Sequence, residues 1–367
     1  MNIKLRRTLT IASLAAIPSF WNACGKVGFQ SGDATYKSCV DTGADYSNCF
    51  NSEDVKYRSV SQSVPVTANT NVDILFVVDN SGSMAEEQVG IGNKINGFLD
   101  KIKNLNWQIA VTTTDAAMNT LDDAKVSRPW GDGQFRPFDS VLGNQYILRS
   151  SQVSAANAQT MLSNAIQMGI NGSGDERSIN ATYRAIQRAA SPSVNKDFFR
   201  SDAKLAVIAI SDEDECSTGS AACTGTNPSY SVPANLMSLI SSQFNGSKVF
   251  SFNSIIWIPG DKTCTTGGNQ GNTYQQLSNM TGGVIGSICS NDYTSPLAAI
   301  GNRVVNLVNE VTLTCKPVDI NKDGKPDLQI KLQDGTMVTS GFTINNLQVS
   351  FASPLPEGTA TFSYFCN

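Results

Sequence analysis

The run Asp79-Asn80-Ser81-Gly82-Ser83 sets three oxygen-bearing side chains at alternate positions on a loop that Gly82 lets turn sharply. Short, hard oxygen ligands on a tight loop suit a divalent cation such as Mg²⁺. The same residue types build Asx and Ser turns that cap a following helix, so the five residues alone leave both readings open. What precedes them gives the loop a place. Val72 to Val78 is an apolar run of strand length, rich in Val, Ile and Phe, and reads as a buried central strand. In open α/β sheets ligands bind outside the carboxyl ends of the strands, where this loop would lie.

A second apolar run, Ala203 to Ile210, ends in Ser211-Asp212-Glu213-Asp214-Glu215. Between the two runs, Asn171 to Ser178 is a Gly-broken polar loop leading into a helical stretch from Ala181 to Ala190. Three oxygen-rich loops in this order, two of them after apolar strands, resemble the von Willebrand factor A (vWA) domain and its metal-ion-dependent adhesion site. The resemblance spans roughly residues 69–313. Asp79, Ser81 and Ser83 correspond to the family's first metal loop, and Asp212 to the acidic residue of its third.

The second loop departs from the family. It usually carries a Thr that touches the metal, and none occurs between Gly172 and Ile179. Glu176 falls at the Thr position with Asp175 beside it, and either carboxylate would ligate a hard cation while adding negative charge. The resemblance therefore implies Mg²⁺ or Mn²⁺ held by Asp79, Ser81, Ser83, Asp212 and Glu176 or Asp175. It further implies hydroxyls that bind directly, acids that act partly through water, and one position left for a partner's Asp or Glu.

Composition removes several function classes. The chain of 367 residues has no histidine, which excludes His-dependent triads and His-ligated zinc within it. A net charge of −4 offers no basic footprint for nucleic acid. A single oxygen-ligated metal with no evident nucleophile supplies little acid–base machinery, so the expectation is a binding protein and no enzyme.

The amino terminus reads as a targeting segment over residues 1–23. Lys4, Arg6 and Arg7 precede a short apolar core from Leu9 to Phe20, and Ala23-Cys24-Gly25 follows. This resembles a bacterial lipoprotein signal in which Cys24 is acylated, and Gly25 after it implies the outer membrane. Trp21 and Asn22 depart from the usual residues, and a plain secretory signal or a failed cleavage site is the alternative. Without Cys24, eight of nine cysteines remain, an even number that implies disulfides in an oxidising compartment. Neighbour pairing (39–49, 216–223, 264–289, 315–366) is the simplest of about a hundred arrangements.

The elements that must position the loops follow from periodicity. Residues 24–68 read as a polar tether with a disulfide loop, and residues 69–313 as strands alternating with helices. The helical stretches are expected near 85–105, 154–168, 177–190, 236–244, 273–280 and 296–312. The fold class is then α/β, a doubly wound, mainly parallel sheet flanked by helices. Residues 314–367 alternate apolar and polar between turns and read as a small antiparallel β module.

That module holds Asp319, Asn321, Asp323 and Asp327 around Gly324, with the oxygen spacing of a calcium loop. Ile330 stands where the bidentate acid would be, and a hairpin turn is the competing reading. Taken together, the expectation is a lipid-anchored envelope protein that binds an acidic protein partner through a divalent metal. The alternative is a vWA-fold envelope scaffold or assembly factor that needs no metal.

Overall fold

The computed structural model describes residues 57–66, 70–116, 130–138, 145–216, 229–246, 248–264 and 268–366. Cys24, Cys39, Cys49 and Cys223 lie outside the described residues. The centre is a six-stranded sheet of order β4-β3-β2-β5-β6-β7. These strands are β2 (Asn71–Val78), β3 (Asn106–Thr113), β4 (Leu148–Arg149), β5 (Lys204–Ser211), β6 (Phe250–Ile256) and β7 (Ile285–Ser287). All pairs are parallel except the short edge strand β4, which runs against β3.

Alternation along β2 explains why apolar residues fill both of its faces. Ile74, Phe76 and Val78 pack on one side with α1 (Ala85–Lys94), α2 (Asn96–Ile102), α3 (Ala155–Ile166) and α7 (Thr294–Leu307). Leu75 and Val77 pack on the other with α4 (Ser178–Ala189), α5 (Pro233–Gln243) and α6 (Asn272–Met280). A period of two with both faces buried is the pattern of a central parallel strand. The charge within this run, Asp73, is fully buried near the strand's start and is held by the Arg200 backbone and guanidinium at 2.8 Å each.

The helices start and stop for local reasons. Ser154 caps α3 by accepting the Asn157 N–H at 3.2 Å, and Pro233 opens α5. The stretch expected as one helix over 85–105 is two, α1 and α2, meeting at Ile95. The closing helix ends at Leu307 instead of running to Thr312, and Glu310–Thr312 forms strand β8.

Two small antiparallel sheets make up the β module, one of order β1-β12-β9 and one of order β10-β11-β8. Their strands are β1 (Arg58–Val66), β9 (Leu328–Leu332), β10 (Phe342–Asn345), β11 (Gln348–Phe351) and β12 (Gly358–Cys366), besides β8. The module thus draws on both flanks of the sheet domain. The end of the stretch read as tether is β1, paired with β12 along its whole length from Arg58 opposite Cys366 to Val66 opposite Gly358. Pro65, which lacks an N–H, is tolerated because β1 is an edge strand.

Two disulfides lie wholly among the described residues. Cys264 bonds Cys289 and Cys315 bonds Cys366, with Cα–Cα distances of 5.3 and 6.1 Å, as neighbour pairing expects. Cys216 is also disulfide-bonded. The module meets the sheet at the start of β6, where Gln348 Nε2 donates to Phe250 O at 2.7 Å. Arg303 at the end of α7 binds Gln348 Oε1 and both Glu310 oxygens. These contacts lie at the amino edge of the strands.

A chain beginning at Thr70 removes β1 and frees one edge of β12. It is expected to keep the six-stranded sheet and to lose hydrogen-exchange protection at Ala360–Phe365. Unchanged protection there would show that β1 does not support the module.

Candidate metal centre

Strands β2 and β5 are adjacent and parallel, with Val78 opposite Ile210. Between them the strand order turns: the chain leaves β2 for β3 on one side and later returns as β5 on the other. Such a switch point opens a crevice at the carboxyl edge. The Asp79 N–H donates to Ile210 O at 2.9 Å, which continues the pairing one step into the loops. Asp79 and Asp212 are thereby brought to the same crevice.

The side chains there form one hydrogen-bonded group. Asp79 is fully buried; its Oδ1 accepts the Ser81 N–H at 2.7 Å and its Oδ2 accepts the Ser211 hydroxyl at 2.6 Å. Ser81 Oγ lies 3.2 Å from Ser83 Oγ, and Ser83 Oγ donates to Asp212 Oδ1 at 3.1 Å. Asp212 is also fully buried, and its Oδ2 has no hydrogen-bond partner. Ser83 and Gly82 are exposed, so the group opens to solvent through the first loop. The Asx turn of the competing reading does form, through the Asp79–Ser81 bond, yet it leaves the two hydroxyls and Asp212 facing each other.

The acidic group suits a cation on two grounds. A buried carboxylate oxygen without a donor carries a desolvation cost that a hard cation would relieve. Burial also raises both acids. Asp79 is pushed well above the ordinary carboxylate range, against its bonds from Ser211 and Ser81 and reinforced by Asp212. Asp212 is pushed up to about 6 by burial, opposed by the Ser83 bond and reinforced by Glu213 and Glu87.

Glu176 is fully buried just before α4, its carbonyl accepting the Cys216 N–H at 2.7 Å. Asp175 is ion-paired with Arg177. Among the described residues no three His, Cys, Asp or Glu side chains gather as a metal-holding group, and Glu176 does not complete one with Asp79 and Asp212. The set brought together is two hydroxyls and two carboxylates.

The acidic run after β5 divides its labour. Asp214 accepts the Thr273 N–H at 3.0 Å and so caps α6, while Glu215 accepts the Ile179 and Asn180 N–H groups at 2.8 and 3.1 Å and caps α4. Burial pushes Glu215 up to about 8. Sequence reasoning missed several residues here. Ser211 anchors Asp79, and Gln88 ties the loops by donating to Asp79 O and Gly169 O at 2.7 and 3.0 Å. Glu87 lies on α1 four residues after Ser83, and its buried Oε2 has no hydrogen-bond partner. Its helical spacing from Ser83 is the signal that points to it.

In the β module, Asp319 accepts the Asp323 and Gly324 N–H groups at 3.2 and 2.8 Å. Asp327 accepts those of Ile320 and Asn321 at 2.7 and 3.3 Å, and Asp323 accepts that of Lys325 at 2.8 Å. Asn321 donates to Asp327 Oδ1 at 3.0 Å. The loop closes on its own backbone as a turn, with Gly324 at φ +90°.

The raised acids set a pH dependence. A folded carboxyl that keeps its proton above the unfolded value, near 4, contributes stability at low pH that is lost as pH rises through the folded value. In chelator, the thermal midpoint is expected to fall from pH 5 to pH 8, with the Asp212 part of that slope centred between about 4 and 6. Asp212→Asn should flatten that part. An unchanged slope in the variant would remove Asp212 from the account.

No protein-family model and no curated protein matches the sequence. Among solved structures the chain is similar to proximal thread matrix protein 1 of the mussel byssus, at 11% identity and a TM-score of 0.37, over 69% of this chain and 51% of that one. It is also similar to the pilus adhesin SpaC of Lactobacillus rhamnosus GG in an open conformation, at 11% identity and a TM-score of 0.36, over 84% of this chain and 40% of that one. The chain spans about half the length of the first and 40% of the second.

Proposed function

We propose that the six-stranded domain is a vWA-type binding domain whose crevice holds Mg²⁺ or Mn²⁺ and recognises an acidic side chain of a protein partner. The observation that carries this reading is the chain Ser81–Ser83–Asp212 with a buried, partnerless Asp212 Oδ2 at the switch point. Ser81 and Ser83 would hold the ion through their hydroxyls, and Asp79 and Asp212 would act directly or through water. Glu176 would contribute charge through a water molecule. Asp175 suits the part less, since Arg177 engages it. The exposed side at Ser83 would leave a position for a partner's carboxylate, a charge-assisted bond with a defined direction.

The domain would belong to an envelope protein of a bacterium, carried on the outer membrane by a lipid on Cys24. The sequence around Cys24 supports that part. A binding role without enzymatic turnover agrees with the absence of histidine from the chain.

A ligand that binds only the folded state stabilises it by mass action. Mg²⁺ or Mn²⁺ at a hundredfold excess over the dissociation constant is expected to raise the thermal midpoint by about 5–10 °C. The double change Ser81→Ala, Ser83→Ala should abolish the rise in a folded protein, and Glu176→Gln should reduce it. A midpoint indifferent to metal in the wild type would favour the metal-independent scaffold.

Lipidation makes a separate prediction. Cells expressing the chain should carry it in detergent-soluble membrane fractions, and Cys24→Ser should release it or block its processing. Mass spectrometry showing an unmodified amino terminus elsewhere would overturn the anchor.

A further inference from the structure

A third strand of the sheet, β3, is also followed by an aspartate, and its bonds run to the first and second loops. Asp115 is 5% exposed. Its Oδ2 accepts Asn80 Nδ2, within the first loop, at 3.1 Å. Its Oδ1 accepts the Ser173 N–H, within the second loop, at 2.8 Å. The two loops touch beside it, where the Gly172 N–H donates to Asn80 O at 2.6 Å. Gly172 is needed for that approach, because a Cβ there would run into the Asn80 side chain and carbonyl.

The same residue reaches the segment that follows β3. Its carbonyl accepts the Asp132 N–H at 2.5 Å. Asp132 is fully buried and binds Arg184 and Arg188 of α4 at 3.3 and 2.8 Å. The Arg177 guanidinium, at the head of α4, donates to Ala116 O at 3.3 Å. One carboxylate and its own carbonyl therefore join the first loop, the second loop and the turn at Asp132.

We propose that Asp115 is a positioning residue that holds the first and second loops in register for cation binding and couples that register to the turn at Asp132. This rests on the reading of the crevice as a cation site. Asp115 acts here through hydrogen bonds and not as a ligand. Its loss would leave two donors, Asn80 Nδ2 and the Ser173 N–H, without their acceptor in a buried place. The loops would part to reach water, and the hydroxyls of Ser81 and Ser83 would lose their alignment with Asp212.

The test compares Asp115→Ala with Asp115→Asn in the full chain. The asparagine keeps an acceptor for the Ser173 N–H, and its amide can pair with Asn80 once that amide turns over. The alanine keeps neither bond. Two readouts are taken: Mg²⁺ affinity by calorimetric titration, and hydrogen exchange at Gly172 and Ser173 in chelator. Asp115→Ala is expected to weaken Mg²⁺ binding by about tenfold or more and to strip protection from both amides. Asp115→Asn is expected to stay within about threefold of wild type and to retain protection. Retained protection and affinity in the alanine variant would overturn the proposal. Equal loss in both variants would also overturn it, since charge and not positioning would then be at work. A wild type that binds no Mg²⁺ would instead refute the cation reading, while the exchange data would still decide whether Asp115 holds the loops together.

Discussion

The parallel pairing of β2 with β5 is the constraint on which the site depends. These strands pair across a sequence separation of 132 residues, from Val72 with Lys204 to Val78 with Ile210. Only this register sets Asp79 and Asp212 at the same level of the carboxyl edge. A slip by one residue would turn every side chain of one strand to the opposite face and separate the two acids from the hydroxyls. The register is secured by burial on both faces, since Ile74, Phe76 and Val78 are committed to one helical layer and Leu75 and Val77 to the other. The apolar alternation that folds the sheet therefore also aims the polar loops.

The carboxylates at this edge are not equivalent, and hydrogen bonding sorts them. Asp214 and Glu215 spend their oxygens on the amino-terminal ends of α6 and α4, where orphan N–H groups favour an anion. Asp115 spends its oxygens on the two loops. Asp79 accepts a backbone N–H and a hydroxyl, and Asp212 accepts a single hydroxyl. Among these five acids Asp212 is the one with a buried oxygen lacking a hydrogen-bond partner. What satisfies each oxygen thus separates the acids that brace helices and loops from Asp212.

Much of this was legible in the sequence for a physical reason. Strands buried on both faces leave dense apolar runs, and β2 and β5 announced themselves in that way, as did the loops at their ends. The helices with one apolar face were placed to within a few residues. The division of 85–105 at Ile95 was not legible, because the apolar spacing runs on through the break. β1 escaped notice because it is an edge strand of Ser, Gln and Val with a single inward stripe at Val60, Val64 and Val66. The pairing partner that makes it a strand, β12, lies some three hundred residues away. β8 was hidden by apolar residues that continue the pattern of α7.

Asp115 was hidden differently. It lies at the head of a segment whose Pro, Gly and Trp content reads as irregular, and nothing in its neighbours suggests a strand-end acid with a task. The clue lies in comparing strands and not in any local motif. Three adjacent strands, β3, β2 and β5, each deliver an aspartate at or just past the carboxyl edge: Asp115, Asp79 and Asp212. In a parallel sheet those positions converge, because every strand ends on the same side. The outer of the three, on β3, finds donors from both loops and becomes a strut. The inner two face each other across the switch point with hydroxyls between them. Position in the strand order, more than residue type, decides which aspartate supports the crevice and which ones line it.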